Sequence, residues 1–132
     1  MDSTITLVGN LTRDPVLRTT AGGVAVADLG LAVHRRWRQG DEWQEHTSFF
    51  TVVAWRTLAE NCLRSLHRGD LVVVQGRPEQ RSWVTDTGDR RSVTEVIATD
   101  IGPSLRWVTA QLSRPERTEL SGAGRREVPA AA

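Results

Sequence analysis

The stretch "HTSFFTVVAWRTLAENCLRSLHRGDLVVVQGR", His46 to Arg77, decides the fold. Its first ten residues alternate Thr47, Phe49, Thr51, Val53 and Trp55 against Ser48, Phe50, Val52 and Ala54, a period of two that predicts a strand. The period then changes. Leu58, Cys62 and Leu66 stand at i, i+4 and i+8, with Thr57 as a candidate N-cap and Gly69 just past the end, which predicts a helix over Leu58–His67. "DLVVVQGR" returns to a short apolar run of β-branched residues, the pattern of a buried strand.

The chain holds strands on both sides of this one helix. "STITLVGNLT" sets Ile5 and Leu7 against Thr4 and Thr6 and stops at Gly9-Asn10. "DPVLRTTAGG" carries turn signals at both ends with room for a short extended piece. "VAVADLGLAVH" reads as a long strand bent at Gly30, and the Arg- and Trp-containing segment after it reads as a polar loop. After the helix, Pro78 places the residues beyond it on an edge or a projecting arm, and Asp86–Asp89 is the turn of a hairpin. The last strand runs to Gly102-Pro103, and "LRWVTAQL" is expected to add a short further one.

The short links imply antiparallel pairing throughout. Three strands, one helix and two more strands is the threading of the five-stranded, partly open OB barrel. The expected fold is therefore all-β with one short helix: an OB barrel with a protruding hairpin and an extra C-terminal strand over residues 1–111. From 112 to 132 the sequence loses its aromatics and reads as a short flexible tail.

Composition excludes several chemistries. All 17 basic residues are Arg, so a phosphate-gripping GxxxxGK[ST] loop and Schiff-base catalysis both lack their amine. Cys62 is the only cysteine and lies on the apolar stripe of the helix, where a small core residue is expected. His34, His46 and His67 have no metal-ligand spacing, and Asp41, Glu42 and Glu45 read as loop charges. No nucleophile elbow or paired acid is present, so the reading is of a protein that is not an enzyme and takes no metal or cofactor. There is no apolar run near the ~20 residues that span a bilayer and no leader-like start, which predicts a cytoplasmic protein without a membrane partner.

The net charge is only +1, so any polyanion site must come from placement. Five tryptophans, Trp37, Trp43, Trp55, Trp83 and Trp107, supply it. Trp37 sits among Arg35, Arg36 and Arg38; Trp55 precedes Arg56; Trp83 follows Arg81 at two residues; Trp107 follows Arg106. A ring beside guanidinium groups suits a single nucleic-acid strand, whose bases stack while the neighbouring phosphates need cations. Trp43, beside Asp41 and Glu42, is instead read as loop packing or an interface contact.

With these features placed, residues 3 to 109 resemble the bacterial single-stranded DNA-binding protein family. The segments that carry the resemblance are "VGNLTRDPVLR", "GGVAVADLGLAV", "RRWRQGDEW", "FFTVVAWRTLAENC", "LHRGDLVVVQGR", "QRSW", "GDRRSVTEV" and "IGPSLRW". The resemblance implies sequence-independent binding of single-stranded DNA in replication, recombination or repair by a homotetramer associated with the nucleoid. It implies base stacking at Trp37, Phe49, Trp55 and Trp83, with Arg35, Arg36, Arg38, Arg56, Arg77 and Arg81 as phosphate contacts. "LRW" resembles the actinobacterial version, in which a C-terminal strand clasps a neighbouring subunit. That assigns Leu105 and Trp107, together with Ile5 and Leu7, to the subunit interface. The ending "RREVPAAA" departs from the family's acidic tip and resembles accessory paralogues, which puts tip-mediated protein partners in doubt. The alternative function is an OB-type protein-interaction or primosome-assembly module in which DNA contact is secondary.

Overall fold

The computed structural model describes residues 3–115. Six strands and one helix run in the order β1 (Ile5–Leu11), β2 (Val16–Thr19), β3 (Ala25–Gln39), β4 (Glu42–Trp55), α1 (Arg56–Ser65), β5 (Leu71–Val84) and β6 (Arg90–Pro103). The sheet order is β1-β5-β6-β4-β3-β2, and a second pairing, β1 with β3, closes β1, β3, β4, β6 and β5 into a barrel. The expected all-β class with one helix, five barrel strands and helix α1 between β4 and β5 is what the chain adopts.

Closure depends on a shared strand. β3 pairs with β2 over Ala25–Asp28 and with β1 at Leu31 and Ala32, while it pairs with β4 along its length. Gly9 lies against this seam, where an added Cβ would collide with the carbonyl oxygen of Ala32. A residue with any side chain would hold β1 away from β3. Gly76 plays the same part on the other side. It sits at a register shift between β5 and β6, and a Cβ there would meet the carbonyl of Ile97.

The alternation read from the sequence explains the core. Leu7, Leu11, Leu29, Leu31, Val52, Val72, Val74 and Val96 point inward and are buried, with Ala59, Cys62 and Leu66 of the helix region capping one end. Fully burying a side chain of this size is worth ~1.5–3 kcal/mol. Among the described residues no polar or charged side chain is buried. Cys62 is in the core, as expected, and burial pushes its thiol pKa up to about 11.

Several expectations are corrected. The segment after His34 is not a loop. β3 and β4 stay paired as far as Gln39 with Glu42, joined by a two-residue turn in which Gly40 has φ 65. The apolar period vanishes because these arms leave the barrel and both faces meet water. The helix begins at Arg56 rather than Leu58, and Thr57 is no cap. β4 runs directly into α1 through Arg56 at φ 60, so the N-cap position falls on Trp55 and has no side-chain bond. Pairing is not antiparallel throughout: β4 and β6 are parallel at Thr51–Glu95 to Val53–Ile97, because the helix connection carries the chain across the barrel.

The extra strand is β2 and not a C-terminal one. Pro103 ends β6, Ser104 N–H donates to the Leu71 carbonyl, and residues 104–115 form no further strand. The nearest strand, β6, pairs with β5 as far as Pro103 and with β4 over Glu95–Ile97, and the segment after it adds to neither. Leu7 is likewise no surface residue: it is 8% exposed and faces its own barrel, whereas Thr6 and Val8 of the same strand face out. The expected tail at 112–132 lies mostly outside the described residues.

Candidate nucleic-acid interface

Strand alternation and register assemble one outer face across four strands. On β4 it carries Phe49, Thr51, Val53 and Trp55; opposite them stand Ala32 and Asp28 on β3. On β6 it carries Glu95 and Ile97, paired in turn with Glu79 and Arg77 of β5. Further along the β5–β6 arm, Arg81 stands opposite Val93 and Trp83 opposite Arg91. The part of this face from Asp28, Thr51 and Trp55 to Arg77, Arg81 and Glu95 lines an open cleft of about 920 Å³, with Arg13 and Arg18 also in its wall, while Phe49 and Trp83 lie outside its lining.

The cleft is built from arginines held by carboxylates. Arg18 donates from Nε and Nη2 to the two carboxylate oxygens of Asp28, the latter at 3.0 Å, and that hydrogen bonding raises its pKa above the ordinary value. Arg81 Nη2 lies 3.3 Å from Glu95 Oε2, and Arg77 Nη2 lies 3.5 Å from Glu79 Oε2. In each pair the guanidinium is more than half exposed, so the pair contributes little to stability. Its consequence is orientation: the planar fork is held along the cleft, with donors left over for a second anion.

The aromatics stand at the ends and rim. Phe49 is 74% exposed, with Trp55 and Trp83 also exposed. Arg81 lies over the Trp83 ring at 5.1 Å from its centroid. Arg56, directly after Trp55, is exposed and adopts the left-handed backbone that turns β4 into the helix. Phe49, Trp55, Arg77, Arg81 and Trp83, expected from the sequence, thus come together on one outer face.

The β3–β4 hairpin sorts its residues differently from the sequence reading. Arg35 and Trp37 share one face, with the guanidinium 4.8 Å from the ring centroid, and Trp37 is half-buried. Arg36 and Arg38, its immediate neighbours in sequence, project from the opposite face and lie over Trp43 at 5.3 and 6.0 Å. Adjacent strand residues cannot share a face. By strand parity Trp43 belongs with Phe49, six residues on in β4. The sequence reading placed neither Arg13 and Arg18 in this cleft nor Trp43 on the Phe49 side of the sheet; cross-strand register in the hairpin gives the second placement.

Of the residues assigned to a subunit interface, Leu105 and Trp107 are exposed, Trp107 at 74% with Arg106 stacked on it at 5.2 Å. Ile5 is half-buried against the core.

A closed five-stranded barrel with a helix between its third and fourth strands, bearing arginines and exposed rings on one outer face, defines the OB class of oligomer-binding barrels. Similarity to known proteins narrows this. Residues 2–104 match the model of the single-strand binding protein family, and the chain belongs to that family. A protein named single-stranded DNA-binding protein from Mycobacterium tuberculosis is 46% identical over 132 residues, covering 98% of this chain and 80% of its own. One of the same name from Paenarthrobacter aurescens is 44% identical over 126 residues, covering 93% and 74%. Among solved structures, the small single-stranded DNA-binding protein from Streptomyces coelicolor superposes with a TM-score of 0.66 at 40% identity. The match covers 80% of this chain and 96% of that one.

Proposed function

We propose that this chain binds single-stranded DNA without reading its sequence, and that it coats and protects exposed strands during replication, recombination or repair. The observation that carries the reading is the shared outer face of Phe49, Trp55 and Trp83 with Arg77 and Arg81. Bases stack on rings whatever their identity, and the carboxylate-held forks offer donors to phosphates. The family relationship supports the same reading.

The protein acts as a homotetramer in this proposal. Exposed Val8 and Val73 on the outer face of paired strands β1 and β5, and the apolar segment Leu105, Trp107, Val108 and Leu112, are surfaces that support association.

Titration with dT oligomers at low salt tests DNA binding. Tryptophan fluorescence is expected to be quenched on addition of DNA, and Trp83→Ala is expected to weaken binding by ~1–3 kcal/mol. Unquenched fluorescence with no oligomer bound would overturn the proposal.

A further inference from the structure

We infer that Trp43, with Arg36 and Arg38, forms a second base-stacking platform on the β3–β4 hairpin, and that its occupant is a nucleobase of a single strand. The inference rests on the proposed DNA-binding reading and extends it to a residue whose sequence neighbours, Asp41 and Glu42, point away from such a role.

The register sets the arrangement. Arg38 pairs directly with Trp43 across the hairpin, and Arg36 lies two residues further along the same face. Their guanidinium carbons lie over the ring at 6.0 and 5.3 Å from its centroid. Even with two arginines against it, Trp43 is 61% exposed, more than Trp55 or Trp83. An indole has two faces, and this degree of exposure leaves room for a base to stack.

The arginines are available. Arg36 and Arg38 make no ion pair with a carboxylate among the described residues, and Arg38 Nε donates only to the Gly40 carbonyl at 3.3 Å. Each guanidinium near the ring carries more N–H groups than the ring can engage, and these can serve the phosphates on either side of a stacked base. The backbone under them is fixed by paired strands and by a two-residue turn at Gly40-Asp41. A protein partner would have to desolvate two uncompensated cations, whereas a nucleic-acid strand neutralises them.

Trp43→Ala and Trp43→Phe, compared with the parent protein in dT-oligomer titrations and light scattering, test the inference. Removal of the ring is expected to weaken binding about 5- to 150-fold while Phe restores most of it. Arg36→Gln combined with Arg38→Gln is expected to lower the slope of log affinity against log salt by roughly 1.4. The exposed position predicts unchanged folding, checked by thermal denaturation, and an unchanged oligomeric state. Parent-like binding by Trp43→Ala overturns the inference and leaves the proposed function standing. An altered oligomeric state with undiminished DNA affinity also overturns it, in favour of an interface role. If the parent protein binds no DNA, both readings fall.

Discussion

Arg56 is the residue that carries backbone strain. Among the described residues it is the one non-glycine with a positive φ, 60°, and it lies where β4 turns into α1 beside the exposed ring of Trp55. The left-handed region costs an L residue ~1–2 kcal/mol, and glycine escapes that cost. Arg56→Gly is therefore expected to stabilise the fold by about 1 kcal/mol, raising the thermal midpoint by about 4 °C for a domain of this size. The same substitution removes an exposed cation next to Trp55, so binding to dT oligomers should weaken as stability rises. Thermal denaturation and titration of one variant read both effects. A lower midpoint would show that the Arg56 side chain contributes more to the fold than its backbone costs. The strain had no signal in the sequence: "AWRTL" shows strand and helix patterns meeting, but the dihedral at the junction is set by tertiary packing.

At the scale of elements, the seam between β1 and β3 leaves no room for a side chain at Gly9. Gly9→Ala would press a methyl group into the Ala32 carbonyl, which is backbone and cannot rotate away. Gly30→Ala meets only the Thr12 hydroxyl, the end of a side chain that can turn. Urea denaturation is expected to show a loss of roughly 3 kcal/mol for Gly9→Ala and a clearly smaller one for Gly30→Ala. Equal losses would contradict the role given to the seam. Most barrel elements were legible because one of their faces is buried: Leu29, Leu31, Val52, Val72 and Val74 all announce their side of the sheet. The hairpin arms beyond the barrel were not legible. From Arg35 to Glu45 no buried face imposes a period, so pairing there rests on backbone hydrogen bonds and a turn that hydrophobicity does not report. The same gap hid Trp43, whose arginines come from the opposite strand, and put Trp37 at the centre of a cluster that alternation divides between two faces. Parallel pairing of β4 with β6 was also beyond local pattern, since it is fixed by how the barrel closes.

At the scale of the molecule, one barrel leaves apolar groups uncovered. The segment after Pro103 holds Leu105, Trp107, Val108 and Leu112 exposed, and among the described residues it joins no strand of the barrel. A second copy could supply the missing cover. Cutting the chain after Gly102 is expected to reduce the mass in light scattering below that of the intact protein, with the barrel still folded by circular dichroism; an unchanged mass would remove this segment from the interface. The outer face is proposed to act as a whole, with rings and oriented arginines together holding a strand of any sequence. The most direct test is the affinity for dT and mixed-sequence oligomers of equal length, measured over a range of salt concentrations. Binding is expected to fall linearly on logarithmic axes, with a slope of ~0.7 per phosphate contact, and with closely similar slopes for both oligomers. Affinity that is independent of salt, or confined to one sequence, would contradict the account.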